Sequence, residues 1–166
     1  MKYPITAILL SSIVGAATNA QVPHAEGQDL IQVVSPESRS SNSGAAANFT
    51  GHVQVEQLFG VRDSSRVTGG IVTFQPGARS AWHTHPLGQI LIVTAGRGLV
   101  QQWGSPMHTM KAGDVVWIPA GVKHWHGASP GSSVTHIAIQ EAVDGRAVDW
   151  MEAVADEQYL ASPKAP

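Results

Sequence analysis

The amino-acid sequence predicts an all-β domain, a barrel or a sandwich, with a short C-terminal helix. From Thr50 onward, short apolar runs are broken by glycine and proline, a pattern typical of many short strands joined by turns. Apolar residues make up 43% of the 166 residues and charged residues 13%, which suits one compact domain with a sizeable core. Cysteine is absent, so disulfides, thiolate metal ligands and a cysteine nucleophile are all excluded.

The chain begins with a segment typical of an export signal. Lys2 supplies a positive charge, residues 5–17 are apolar or small, and Thr18-Asn19-Ala20 has the character of a cleavage site. The apolar run is shorter than the roughly 20 residues of a membrane-spanning helix. We therefore predict a signal peptide over residues 1–20 and an exported protein, periplasmic or secreted, that is not attached to a membrane after cleavage. A lipid-facing anchor or a frayed hydrophobic N-terminus is the alternative.

The remaining sequence divides into three parts. Residues 21–48 are rich in serine and alanine and contain few large apolar groups, so we expect a flexible segment. Residues 49–160 carry the β pattern and form the predicted domain, and residues 161–166 form a short tail.

The strands are predicted from apolar runs between turn signals. Turns are expected at Pro76-Gly77 and over residues 95–98, and the alternation of Trp150, Val154 and Leu160 with acidic residues predicts a helix over 148–160. The predicted strands are 52–59, 68–74, 81–85, 89–94, 99–102, 109–111, 115–118, 124–128 and 134–141.

The charge distribution limits the classes of partner. The formal net charge is −2, and the ten basic residues are scattered along the chain. Because nucleic-acid binding requires a basic patch or stripe, we expect no nucleic-acid partner.

Four of the eight histidines fall into two closely spaced pairs. His83 and His85 are two residues apart, as are His124 and His126, and side chains two apart on a strand point to the same face. Two imidazoles on one face of a buried strand can chelate a metal ion. Gln89 begins the next apolar run, so a hairpin would bring its amide beside the first pair.

The residues around these pairs carry a family resemblance. The first segment reads G-x5-H-x-H-x3-Q-x6-G from Gly77 to Gly96, and the second reads G-x5-P-x-G-x2-H from Gly113 to His124. They resemble the two motifs of the cupin superfamily, in which a glutamate usually stands at the position of Gln89. The resemblance implies a single-domain cupin β-barrel, that is, a double-stranded β-helix or jelly roll.

A closer resemblance extends from about Gly44 to Tyr159 and includes AWHTHPLGQ, GDVVW and KHWHGA. These stretches resemble small bacterial manganese cupins with hydroxynitrile lyase activity. The resemblance implies a metal ion held by His83, His85, Gln89 and His124, with Mn²⁺ expected and Fe²⁺ or Zn²⁺ as alternatives. It also implies a homo-oligomer, either a dimer or a tetramer. Satisfied core histidines without a metal are the competing interpretation.

Strand parity predicts the walls of the cavity around these ligands. If the polar members of each strand point inward, the cavity is apolar and suits a small ligand with one or two polar groups. His126 is expected near the metal as a general base or acid, or otherwise as a fifth ligand or an orienting partner. His136 has either a catalytic or orienting role or that of a core histidine. The predicted wall residues are Val72, Phe74, Leu91, Val93, Ala138 and Gln140.

Three classes of function fit this site. The first is a lyase that cleaves or forms cyanohydrins, giving an aldehyde or ketone plus cyanide by Lewis-acid and histidine general-base catalysis. The second is a cupin dioxygenase acting on a small aromatic substrate, and the third is a non-enzymatic metal-binding module. The first has a small-molecule substrate and requires no change in the oxidation state of the metal.

Overall fold

The computed structural model describes residues 31–62 and 64–161, so the predicted signal peptide over residues 1–20 lies outside the described residues. Within these described ranges, the regular elements all belong to the unit that begins at Val34. A short 3₁₀ turn, Pro36–Ser38, precedes the strands, and α1 (Asp156–Tyr159) is a single helical turn. The strands are β1 (Ser41–Ser43), β2 (Phe49–Thr50), β3 (Val53–Phe59), β4 (Val67–Phe74), β5 (Arg79–Ser80), β6 (His83–Thr84), β7 (Gln89–Gln102), β8 (Met107–Lys111), β9 (Val115–Ile118), β10 (His124–Ala128), β11 (Val134–Glu141) and β12 (Asp149–Trp150).

The strands form one curled antiparallel sheet whose order is β1-β3-β4-β11-β7-β10-β5-β2. Strands β8 and β9 pair with β7, and β6 pairs with both β10 and β12. This arrangement confirms the all-β barrel with a short C-terminal helix that the sequence predicted. Among the residues that the structure describes, no helix has the length and apolar character needed to cross a membrane.

The longest strand, β7, corrects the prediction of a turn over residues 95–98. It runs unbroken from Gln89 to Gln102, and its first half pairs with β9 and β11 whereas its second half pairs with β8 and β10. Gly96 allows this change of partners because its φ is +75° and a Cβ there would lie 2.0 Å from the carbonyl oxygen of Ser133. The glycines of this segment therefore allow a bend within one strand and do not form a turn between two strands.

The C-terminal segment corrects the prediction of a helix over 148–160. Only Asp156–Tyr159 is helical, and the chain before it is extended. The extended backbone forms hydrogen bonds with the barrel: Met151 N donates to Trp82 O at 2.8 Å, and Trp82 N donates to Glu152 O at 2.9 Å. These bonds, together with burial of Val154, favour the extended form over a helix.

Besides β12, which falls in the segment predicted as a helix, three short strands were absent from the sequence prediction. β1 lies within the segment 21–48, where we expected a flexible chain, and it pairs with β3. β2 and β5 pair with each other, and each is only two residues long. Such short strands leave too few residues for a periodic signal in the sequence.

In the part of the chain that the structure describes, two apolar clusters form the core. The larger one fills the barrel and includes Phe74, Leu91, Val93 and Val134. The smaller one is built from Trp82, Leu99, Met107, Trp125, Val154 and Tyr159, and it joins the C-terminal segment to the barrel. Because Trp82 faces this second cluster, the adjacent His83 faces the barrel interior, as strand parity requires.

Candidate metal centre and cavity

Three buried histidines lie together inside the barrel. One ring nitrogen from each of His83, His85 and His124 lies within 4.8 Å of the others. His83 and His124 are direct partners across β6 and β10, and their ring centroids are 4.2 Å apart. Two separate sequence segments therefore place three imidazoles around one point.

Backbone carbonyl groups orient each of these rings. The Nδ1 atoms of His83 and His124 each lie 2.9 Å from a carbonyl oxygen, that of Ala81 and that of Val122 respectively, and His85 Nδ1 lies 2.6 Å from Ala147 O. Because a carbonyl accepts, each Nδ1 carries the hydrogen and donates it, which places the lone pair on Nε2. This is the arrangement of histidines that bind a metal through Nε2.

One buried nitrogen atom without a hydrogen-bond partner indicates whether a metal ion fits this cluster. His85 Nε2 is buried and has no hydrogen-bond partner among the described residues. A buried polar atom without a partner is costly, and a cation would supply the missing interaction. The three-histidine cluster is therefore able to hold a metal ion.

Gln89 supplies an oxygen beside the three nitrogens. Its Nε2 donates to Gln140 Oε1 at 3.2 Å, and Gln140 Nε2 donates in turn to Thr68 Oγ1 at 2.8 Å. These two hydrogen bonds fix the orientation of the Gln89 amide, so that Gln89 Oε1 lies 3.3 Å from His124 Nε2. Two acceptor atoms at this separation repel each other unless a cation lies against both, so Gln89 fits as the fourth ligand.

Burial keeps the three imidazoles neutral. It lowers the pKa of His124 to about 4 and the pKa of His85 below its usual range. Burial first, and then the proximity of His124, lowers the pKa of His83 well below its usual range. Neutral imidazoles are the form that binds metals, and this donor set contains no carboxylate to reduce the charge of a bound cation.

A second pair of histidines lies beside this cluster. His126 Nδ1 and His136 Nε2 are 3.2 Å apart, and both rings contact Phe74 at centroid distances of 5.7 Å. His126 lines the cavity, whereas His136 is completely buried behind it. Burial lowers the pKa of His136 to about 4, and burial and then His136 lower the pKa of His126 well below its usual range. Both rings are therefore neutral near pH 7.

An open cavity of about 290 Å³ gives access to the cluster. His83, His85, Gln89 and His126 line it, as do Val72, Ala138 and Gln140 among the predicted wall residues. The other three predicted wall residues, Phe74, Leu91 and Val93, do not line it and belong to the barrel core. Their side chains point inward as predicted, but they lie deeper in the barrel. Strand parity predicts the direction of a side chain and not its depth.

The sequence prediction missed the aromatic part of the cavity wall. Phe49, Phe59 and Trp150 line the cavity together with Val148 and Ala147. The Trp150 ring lies 4.8 Å from the His83 ring and 5.4 Å from the Phe49 ring, measured between centroids. The only sequence signal for Trp150 was its place in a predicted helix, and the true pairing of β12 with β6 depends on residues some 65 positions apart.

An antiparallel β-barrel that encloses three histidines able to hold a metal ion has the features of the class of metal-binding β-barrel proteins. Residues 70–138 match the family model described as Cupin domain. The chain is 57% identical over 122 residues to the (R)-mandelonitrile lyase of Granulicella tundricola, and the match covers 74% of this chain and 93% of that protein. The chain therefore belongs to the cupin family.

Solved structures share the same barrel. A cupin-like protein from Thermotoga maritima is 42% identical and superposes with a TM-score of 0.68, covering 75% of this chain and 94% of that one. A polyketide cyclase from Streptomyces resistomycificus is 14% identical, has a TM-score of 0.62, and covers 78% of this chain and 91% of that one. The second similarity extends to the fold alone.

Proposed function

We propose that this protein is a metal-dependent lyase that cleaves or forms cyanohydrins, converting them to an aldehyde or ketone plus cyanide. The observation that carries the proposal is the 57% identity to the (R)-mandelonitrile lyase of Granulicella tundricola across 93% of that protein. The cavity supports it, because an uncharged donor set for a cation and a neutral imidazole lie side by side in an apolar enclosure.

His83, His85, Gln89 and His124 would hold the metal ion, and Mn²⁺ is our proposal, with Fe²⁺ or Zn²⁺ as alternatives. When bound, such an ion acts as a Lewis acid that stabilises negative charge on a substrate oxygen. A donor set of three neutral imidazoles and one amide leaves the full charge of the ion uncompensated, which strengthens that effect.

His126 is the proposed general base. Its Nδ1 atom is occupied by His136, so Nε2 is the ring nitrogen available to a ligand in the cavity. In cleavage, Nε2 takes the proton of the cyanohydrin hydroxyl, the C=O bond forms, and cyanide leaves with the electron pair of the C–C bond. The protonated His126 then returns a proton to cyanide, so the cycle balances.

His136 is a positioning residue in this scheme. When His126 Nδ1 donates to His136 Nε2, the lone pair of His126 is placed on Nε2, which is the state that a base requires. His136 itself does not line the cavity. Its effect on the reaction therefore passes through the tautomer and orientation of His126.

The aromatic and aliphatic walls favour an aryl or alkyl substituent on the substrate. Phe49, Phe59 and Trp150 offer aromatic surfaces, and Val72 and Ala138 offer aliphatic ones. Gln140 is a polar group within the same wall, but its two amide atoms are engaged by Gln89 and Thr68. An apolar group packed on these walls would leave the hydroxyl directed toward His126.

The test is cleavage of mandelonitrile by purified protein of known metal content, followed by the appearance of benzaldehyde. We expect the same rate in air and without oxygen, because the reaction involves no oxidation. Protein reloaded with redox-inert Zn²⁺ should retain part of the activity. Oxygen-dependent turnover of a catechol-like substrate, without cyanohydrin cleavage, would instead indicate a dioxygenase. If the protein keeps its fold and its metal but catalyses neither reaction, the result would indicate a binding module.

A further inference from the structure

The C-terminal segment 147–159, here called the strap, forms part of the wall of the metal centre. Its first residue, Ala147, accepts the hydrogen bond from His85 Nδ1 at 2.6 Å. Two residues later β12 pairs with β6, which places Trp150 opposite His83. The strap therefore sets the orientation of one metal-site imidazole and contacts the ring of another.

One buried cation holds the far end of the strap. The guanidinium group of Arg79 donates to Val154 O from Nη2 at 2.9 Å and from Nε at 3.3 Å. Nη2 also lies 2.5 Å from Asp156 Oδ1, and the guanidinium carbon lies 4.6 Å from the centre of the Tyr159 ring. Arg79 is only 5% exposed, so its charge is satisfied chiefly by the strap.

Arg79 and the strap residues that it contacts are here called the anchor. Neighbouring contacts connect the anchor to the metal site. Tyr159 Oη donates to Ala128 O at 2.9 Å, at the end of the strand that begins with His124. Between the anchor and Ala147, the backbone bonds of Trp82 to Met151 and Glu152 fix the strap beside His83. Displacement of the anchored end would therefore strain the short pairing that keeps Ala147 and Trp150 in place.

We propose that Arg79 is a positioning residue for the metal centre, acting through the strap on His85 and His83. A partner that fixes the ring of a metal-binding histidine commonly changes metal affinity about 10- to 100-fold when it is lost. The Ala147 carbonyl is such a partner, and Arg79 holds the opposite end of the same segment in place. The inference rests on the proposed metal site and is independent of the proposed cyanohydrin reaction.

The test measures Mn²⁺ affinity by competition with a chelator in wild-type protein and in Arg79→Ala and Arg79→Lys. We expect Arg79→Ala to raise the Mn²⁺ dissociation constant by about 10-fold. Arg79→Lys should give a smaller increase, because an ammonium group keeps the charge but lacks the forked geometry that meets Val154 and Asp156 together. Limited proteolysis should cut the strap faster in both variants.

Two further variants separate positioning from general stability. Arg97→Ala removes an exposed arginine of β7 and should leave the Mn²⁺ dissociation constant unchanged. Met110→Ala removes a buried side chain of the barrel core and should lower the melting temperature without the same loss of affinity. If Arg79→Ala does not fold, the comparison of Arg79→Lys with Met110→Ala decides the question.

Two results would overturn the inference and can be told apart. The first is that the wild type binds Mn²⁺ tightly and the folded Arg79 variants bind it with the same affinity. Arg79 would then stabilise the strap without affecting the metal site. Failure of the wild type itself to bind Mn²⁺ would remove the metal site on which the inference rests. Neither result depends on whether cyanohydrins are substrates.

Discussion

His126 Nδ1 lies 3.2 Å from His136 Nε2, yet only His126 borders the cavity. The two rings therefore differ in role: His126 can contact a ligand in the cavity, whereas His136 contacts His126 and Phe74 but not the cavity. The sequence left open which of the two is the base, and this relationship favours His126.

The first prediction follows from that inequality. His126→Ala should lower turnover by about 10²-fold or more with the metal retained, the usual scale for loss of a general base. His136→Ala should cause a smaller loss, because the base remains but its tautomer is no longer fixed. Turnover is to be measured together with metal content. Equal losses in the two variants would contradict an indirect role for His136.

The second prediction concerns the three-histidine cluster. His83→Ala, His85→Ala and His124→Ala should each remove most of the bound metal and the activity, because each deletes one of three converging nitrogens. Elemental analysis of the purified variants measures this. His52→Ala, which changes an exposed histidine, is the matched control and should keep its metal. A full metal complement in any of the three cluster variants would mean that the ligand assignment is wrong.

The third prediction concerns Gln89. Gln89→Glu should retain the metal more strongly against a chelator and turn over more slowly, because a carboxylate attracts the cation and reduces its Lewis acidity. The new carboxylate also loses the donor that now reaches Gln140 Oε1, so Gln140 must reorient. Chelator-resistance and turnover assays on the same preparation give both values. Loss of metal from Gln89→Glu would place residue 89 outside the ligand set.

The fourth prediction concerns the acid stability of the metal-free protein. The pKa of His136 is about 4 in the folded chain and about 6.5 when unfolded. Between these values the unfolded chain binds a proton that the folded chain does not, so the free energy of unfolding falls as the pH falls. His136 alone contributes a loss of about 3 kcal/mol over this interval, and the depressed pKa of His124 acts in the same direction.

Urea unfolding of the chelator-treated protein at a series of pH values tests this prediction. His136→Gln should flatten the dependence, because glutamine does not titrate. A free energy of unfolding that stays constant from neutrality down to about pH 4.5 would contradict the buried, neutral state of these histidines.

The fifth prediction concerns export and rests on residues 1–20, which lie outside the described part of the chain. The protein recovered from its host should begin at or near Gln21 and be found outside the cytoplasmic membrane. N-terminal sequencing of fractionated cells tests both statements. An intact Met1 on cytosolic protein would contradict the proposed export.

The sequence was most informative where function depends on neighbours within one strand. His124 and His126 point to one side within β10 because alternation along a strand is a local property, and His83 and His85 do so although β6 ends at Thr84, one residue before His85. The same rule placed Val72 and Ala138 in the cavity wall. It failed for Phe74, because parity gives the direction of a side chain but not its depth in the barrel.

Contacts between distant segments could not be predicted. Ala147 and Trp150 reach the three-histidine cluster through the pairing of β12 with β6, and neither residue has a local signal for that position. The helix predicted for this segment reflected its apolar spacing, but hydrogen bonds to Trp82 stabilise an extended chain. The predicted dimer or tetramer stays a prediction.

The unbroken course of β7 has a consequence for how the protein melts. This one strand pairs with β8, β9, β10 and β11, and it begins at Gln89 beside the three-histidine cluster. Neither half of the curled sheet can therefore separate without removing hydrogen-bonding partners from the other half. Heating should produce a single cooperative transition in which barrel and metal centre are lost together, so that no partly melted species retains the site.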